Sequence, residues 1–251
     1  MAIDAFPSVD IWSKAPRGME GAVASPPSPR RGSPSGIGSE FLMSNVTVSG
    51  VPATETIPIL DFGSQYTQLI ARRIRELGAF SLLVAPDTDL ETIRGLNPKG
   101  IILSGGPSSV NESGAPTCDP GILDLGVPVL GICYGMQLGC DMLGGTVKSS
   151  ATREFGRAQL EINDSTDLLA GIPARTSVWM SHGDQVTGLS EMFESVASTA
   201  TCPFAAVRHR ERPFYGVQFH PEVTHTPHGI DILRNFLFGI CECSGNWRMS
   251  E

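Results

Sequence analysis

The chain has 251 residues, 41% of them hydrophobic, which is apolar material enough for one sizeable core. Its 18 Lys and Arg stand against 26 Asp and Glu, a net charge of −8 that argues against nucleic-acid binding. No apolar run approaches the roughly 20 residues of a membrane-spanning helix, and six cysteines with no CxxC pair suit thiols kept reduced in a cytoplasm rather than a disulfide scaffold.

Residues 1–56 stand apart from the rest. They hold seven Pro, nine Ser and six Gly, and the run Ser25-Pro-Pro-Ser-Pro-Arg-Arg-Gly-Ser-Pro-Ser-Gly36 has neither a helical nor a strand period. Such a stretch buries too little apolar surface to offset its chain entropy, so it reads as a disordered extension. It lacks the continuous apolar centre of a secretory signal, and Asp4, Asp10 and Glu20 speak against a transit peptide. Met43 offers an alternative start.

From Ile57 the rhythm changes. Ile57–Leu60 reads as a strand, and Tyr66, Leu69, Ile70, Ile74 and Leu77 recur at helical spacing until Gly78 ends the helix. Phe80–Ala85 is a second strand, Leu90–Leu96 a short helix, Lys99–Ser104 a third strand and Val127–Ile132 a fourth. Cys133 then opens a helix that runs to about Leu143. Strand and helix alternate, which predicts a doubly wound α/β domain, with a mostly parallel sheet covered on both faces. Past Gly145 the pattern turns β, over Ala158–Ile162, Ser177–Met180, Ser195–Ser198, Ala205–Arg208 and Phe214–Phe219. A helix near Gly229–Phe238 closes the domain, which spans 57–241 and leaves 242–251 as the start of a linker.

The sharpest chemical feature is Gly131-Ile-Cys-Tyr-Gly135, the G-x-S-x-G nucleophile elbow with sulfur in place of oxygen. A sharp strand-to-helix turn leaves no room for larger flanking residues, and the helix N-terminus favours a thiolate. A buried, inert core Cys is the bland reading. The matching base is His220, at the end of a strongly patterned strand, with Glu222 two positions on to hold its imidazole. A surface His capped by a turn Glu, or a metal site built from His220, His225 and His228, are the alternatives, although the second matches no common zinc spacing. Ser104-Gly-Gly-Pro107 could point backbone N–H groups at a neighbouring site, so that Gly106 N–H and Tyr134 N–H make a two-donor oxyanion hole. It could also be an ordinary turn. A phosphate loop fits less well, since position 108 is Ser where a pyrophosphatase loop has Asp.

Together, Gly105-Gly-Pro107, Gly131-Ile-Cys-Tyr-Gly-Met-Gln137 and Phe219-His-Pro-Glu222 resemble the class I (triad) glutamine amidotransferases. Asp61-Phe-Gly-Ser-Gln-Tyr66, Met180-Ser-His-Gly-Asp184, His220-Pro-Glu-Val-Thr-His-Thr-Pro-His-Gly229 and Cys243-Ser-Gly-Asn-Trp247 narrow the resemblance to the glutaminase domain of the GMP synthases, over about Ile57 to Trp247. An amidotransferase of anthranilate or carbamoyl phosphate synthesis, or a non-catalytic module of the same fold, is the competing reading.

The resemblance implies a flavodoxin-like doubly wound fold with a small antiparallel portion, and a catalytic triad of Cys133, His220 and Glu222. It implies an oxyanion hole from Gly106 and Tyr134, and L-glutamine held among Gly105, Gln137, Ser181, His182 and Asp184. Ser181–Asp184 could equally be nothing more than a loop. No cofactor or metal is expected in this chain. ATP and Mg²⁺ belong to an ATP-pyrophosphatase (synthetase) domain or subunit that aminates xanthosine monophosphate, and that domain, with the segment that makes the complete enzyme a homodimer, is missing here. The chain is therefore expected to be a fragment or a separate glutaminase subunit.

Overall fold

The structure, a computed structural model, describes residues 55–248. The expected disordered extension therefore lies, but for its last two residues, outside the described residues, as does Met43.

Five parallel strands form the first half of a nine-stranded sheet: β1 (Thr56–Leu60), β2 (Phe80–Val84), β3 (Ile101–Leu103), β4 (Val129–Ile132) and β9 (Phe214–Val217), in the order β2-β1-β3-β4-β9. The sheet continues antiparallel through β8 (Ala206–His209), β7 (Phe193–Ser198), β5 (Thr146–Ile162) and β6 (Arg175–Gly188). Helices α1 (Thr67–Glu76), α2 (Leu90–Gly95), α3 (Tyr134–Met142) and α4 (Gly229–Arg234) complete it, α4 running on into a π-type turn over Asn235–Ile240.

Side chains alternate across a strand, so buried strands must feed two cores. Ile57, Ile59, Ile102, Leu130 and Ile132 join α1 and α4 in one cluster. Leu60, Ile101, Leu103 and Val129 join α2 and α3 in the other. This is the doubly wound α/β arrangement that the alternation predicts.

Gly78 ends α1 at φ +84°, and a Cβ there would lie 2.5 Å from the Gly245 carbonyl oxygen. That close approach belongs to the chain's return after the last helix: Trp247 N–H donates to Gly78 O at 2.9 Å, and its ring packs on Phe80. The described part of the expected linker is thus tied down on the domain.

Two of the antiparallel strands, β5 and β6, run far longer than their sequence segments indicate. β5 reaches back to Thr146 through Ser149–Gly156, which has no clean alternation, because β6 supplies the hydrogen-bonding edge. Between Ser149↔Asp184 and Glu154↔His182 the register shifts: four residues of β5 face Gly183 alone. Bulges of this kind re-aim side chains, and this one adjoins the cavity described next. Among the described residues no helix is long and apolar enough to cross a membrane.

Candidate active site

β3, β4 and β9 are neighbours and end at one sheet edge, so the segments that follow them are brought together. Cys133 follows β4, His220 comes soon after β9, and Ser104–Pro107 follows β3. Ligands bind at this carboxyl edge in open α/β sheets.

Cys133 caps α3 with φ 53° and ψ −107°, a conformation that side chains avoid and that marks a strained turn. Its neighbours explain why it can form. A Cβ on Gly131 would lie 2.6 Å from the Met136 backbone, and one on Gly135 would lie 2.2 Å from the Leu103 carbonyl oxygen. Both flanking positions therefore require glycine, as the elbow reading demands. Cys133 N–H donates to Val217 O at 2.8 Å, which binds the elbow to the strand that leads to His220.

The three residues of the expected triad are buried together: Cys133, His220 and Glu222 are 4%, 3% and 1% exposed. His220 Nδ1 sits 2.7 Å from Glu222 Oε1. Burial disfavours a charged imidazole, but hydrogen bonds to Cys133 and Glu222, with their negative charge, outweigh it and push His220 up to about 10. The site is therefore built to hold an imidazolium between sulfur and carboxylate. Burial pushes the thiols of Cys118, Cys140, Cys202, Cys241 and Cys243 up, so none of the five is poised as a nucleophile.

The segment that carries His220 and Glu222 is held by groups that motif reasoning passed over. Thr226 Oγ1 donates to His220 O at 2.7 Å and accepts from Trp179 N–H at 3.1 Å. Arg73 Nε donates to Glu222 O at 3.1 Å, and Tyr66 meets the imidazole edge-on at 5.3 Å. Tyr66 and Thr226 lie inside the motifs quoted above, but nothing in a string of letters separates a residue that braces His220, at its ring or its backbone, from its neighbours. The alternative metal set does not assemble: His225 packs on Trp179, and His228 pairs with Asp231.

Gly106 falls where a donor is needed. A Cβ there would lie 2.7 Å from Phe62 O and 3.3 Å from Tyr134 Cγ, so the turn sits close against the first residue of α3. Neither Gly106 N–H nor Tyr134 N–H meets a protein acceptor among the described residues, and an unpaired N–H at a helix start is available to an oxyanion. The Tyr134 ring points the other way, into the core, with its hydroxyl on Pro116 O.

A cavity of about 780 Å³ opens over Cys133 and His220. Gln137, Ser181, His182 and Asp184 line it. Gly105 borders His220 instead: a Cβ there would fall 3.3 Å from Cε1, so its smallness leaves room for the imidazole. The segment Ser181–Asp184 is not a loop. It lies within β6, paired with β5.

Gln137 Nε2 donates to Asp184 O and Gln218 Oε1, bracing β6 from below. Asp184 Oδ1 accepts from Ser149 Oγ at 2.7 Å, while Oδ2 is buried without a partner. Asp184 also lines the cavity, and its carboxylate is the charge that suits the ammonium of an amino acid. Arg153, exposed on the cavity lining, offers the complementary charge for a carboxylate. Periodicity does not single out Arg153, because it sits in the bulge, where alternation fails.

A profile of the class-I glutamine amidotransferase family matches residues 58–240. The chain is 52% identical to a glutamine-hydrolysing GMP synthase of Enterococcus faecalis over 204 residues, 81% of this chain and 39% of that protein. With the counterpart in Staphylococcus carnosus it shares 55% identity over 197 residues, 78% of this chain and 38% of the relative. The chain thus spans well under half the length of these relatives. Among solved structures, a Thermoplasma acidophilum protein provisionally named as one subunit of a GMP synthase is 36% identical, with a TM-score of 0.69 covering 75% of this chain and 94% of that one. A glutamine amidotransferase of Thermotoga maritima shares the fold at 19% identity, with a TM-score of 0.61 over 76% of this chain and 100% of its own.

Proposed function

The chain belongs to the class-I glutamine amidotransferase family, and on that premise we propose that it is the glutaminase component of a GMP-forming system. It hydrolyses L-glutamine to glutamate and ammonia, and the ammonia passes to an ATP-dependent synthetase domain or subunit that aminates xanthosine monophosphate. The observation that carries this reading is the strained Cys133 elbow set against a buried His220–Glu222 pair at the floor of one cavity. ATP, Mg²⁺ and dimerisation fall to the synthetase partner. Six unpaired thiols fit a cytoplasmic setting.

The Cys133 thiolate attacks the side-chain amide carbon of glutamine, and the carbonyl oxygen becomes an oxyanion between Gly106 and Tyr134 N–H. His220 gives its proton to the amide nitrogen, the C–N bond breaks, and ammonia leaves behind a γ-glutamyl thioester. The neutral imidazole then takes a proton from water. The hydroxide formed attacks the thioester, and the thiolate departs with glutamate released. Glu222 keeps the ring oriented and balances its charge throughout. The Asp184 carboxylate receives the substrate ammonium and Arg153 its carboxylate, with Gln137, Ser181 and His182 shaping the wall around them.

The test is ammonia release from glutamine by the purified chain, alone and with a GMP synthetase domain plus ATP, Mg²⁺ and xanthosine monophosphate. Expected are slow release alone and faster release with the loaded partner, because such sites are often completed only on partner binding. Absence of ammonia under both conditions overturns the reading.

A pH prediction follows from the imidazolium. With His220 raised from 6.5 to about 10, the alkaline fall of kcat/KM should lie near that upper value. Glu222→Gln removes a charge and a strong acceptor, so the fall should move to lower pH. The same raised pKa stabilises the folded chain fully below 6.5, and that contribution is lost as pH rises through about 10. Unfolding followed across this window should show the variant losing least at the alkaline end.

A further inference from the structure

Apart from the triad, the described residues bring one set of three mixed donors together. Glu154 of β5, His182 of β6 and Cys202, from the turn between β7 and β8, place their ligand atoms within 4.8 Å of one another. The β5 bulge is what sets Glu154 opposite His182. The His182 and Glu154 side chains are 1% and 12% exposed, and Cys202 is fully buried.

The histidine decides what the set can hold. Its Nε2 lies 2.9 Å from Glu154 Oε2 and its Nδ1 lies 3.0 Å from Asp184 O. Both neighbours are acceptors. As an imidazolium the ring donates to both; with Nδ1–H kept on the carbonyl, a divalent cation can replace the Nε2 proton between ring and carboxylate. A carbonyl on one ring nitrogen, which leaves the other to the ion, is also the way metal-ligating histidines are oriented. Nitrogen, oxygen and sulfur together form a borderline-soft donor set, which suits zinc or cobalt and not magnesium or calcium.

We propose that Glu154, His182 and Cys202 form a site for a thiophilic divalent transition metal of the zinc class. Three protein ligands leave a fourth position for water or another donor. Bonds of about 2.0–2.3 Å around a tetrahedral ion separate neighbouring ligand atoms by roughly 3.3–3.6 Å. The Glu154–His182 contact therefore opens slightly and Cys202 closes in, its S–H proton leaving to solvent as the thiolate binds. His182 also lines the cavity and meets the Asp184 carbonyl. A bound ion would fix the ring that supports this stretch of β6.

Cobalt(II) alone, titrated into the full chain, tests the site through thiolate-to-cobalt absorption. One equivalent should bind with a thiolate band that Cys202→Ser abolishes, that Cys133→Ala leaves in place and that zinc removes by displacement. Glu154→Gln keeps the thiol and should weaken binding by more than the about 10–100-fold typical of losing a mere supporting partner. This variant decides the matter if Cys202→Ser does not fold. The proposal is overturned by the absence of a thiolate band at saturating cobalt, or by unchanged affinity in Glu154→Gln. A band that survives Cys202→Ser and vanishes in Cys133→Ala also overturns it, since it would place the ion on the Cys133–His220 pair.

Discussion

Replacing Cys133 with Ala is expected to reduce ammonia release from glutamine by about ten-thousandfold or more in kcat, the scale seen when the nucleophile of a triad is removed. The fold should persist, because Cys133 contributes one small side chain to a core built by the sheet and its helices. Its backbone, however, sits at φ 53° and ψ −107°, and strain of this kind costs about 1–3 kcal/mol. Ala keeps that strain and Gly relieves it. Urea unfolding should therefore find Cys133→Gly more stable than Cys133→Ala by about 1–2 kcal/mol, with both inactive. The imidazole provides a second readout: losing its sulfur partner should lower the His220 titration followed by NMR. Retention of glutaminase activity in Cys133→Ala would exclude the thioester route.

The second large effect is expected at Gly135. A methyl group there would lie 2.2 Å from the Leu103 carbonyl oxygen, and a strand carbonyl cannot swing aside as a flexible side chain can. Gly135 N–H also donates to Ser104 O at 3.0 Å. Displacing this contact moves the elbow and the Gly106 turn apart together. Gly135→Ala should thus cost more than about 3 kcal/mol and abolish activity in whatever fraction stays folded. Gly95, the last residue of α2, has nothing within 4 Å of a built Cβ. Gly95→Ala should raise stability by up to about 1 kcal/mol through helix propensity. Opposite signs at two glycines would separate steric need from composition; equal effects would discredit the packing argument for the elbow.

The residue pattern anticipates the α/β alternation because β1, β3 and β4 are apolar runs buried on both faces and α1 carries its own apolar stripe, both local properties. The elbow is legible for the same reason: Gly131 and Gly135 are sequence-near and are required by the backbone they flank. β5 is visible in the residue pattern only over its last five residues, since Ser149–Gly156 becomes a strand by pairing with β6 and not by any preference of its own. The letters of Ser181–Asp184 leave loop and site both open, and pairing with β5 decides for strand.

Residue order by itself determined the doubly wound core, the nucleophile turn and the identity of the His–Glu partners, because helical stripes, glycine spacing and a two-residue reach are read within a few positions. Only the folded chain decided that Cys133 and His220 share a sheet edge, that Asp184 joins them on the lining of one cavity, and that Glu154, His182 and Cys202 converge. Each of those depends on strand order, register and a bulge. These are set by hydrogen bonding between segments tens of residues apart, which no local pattern encodes.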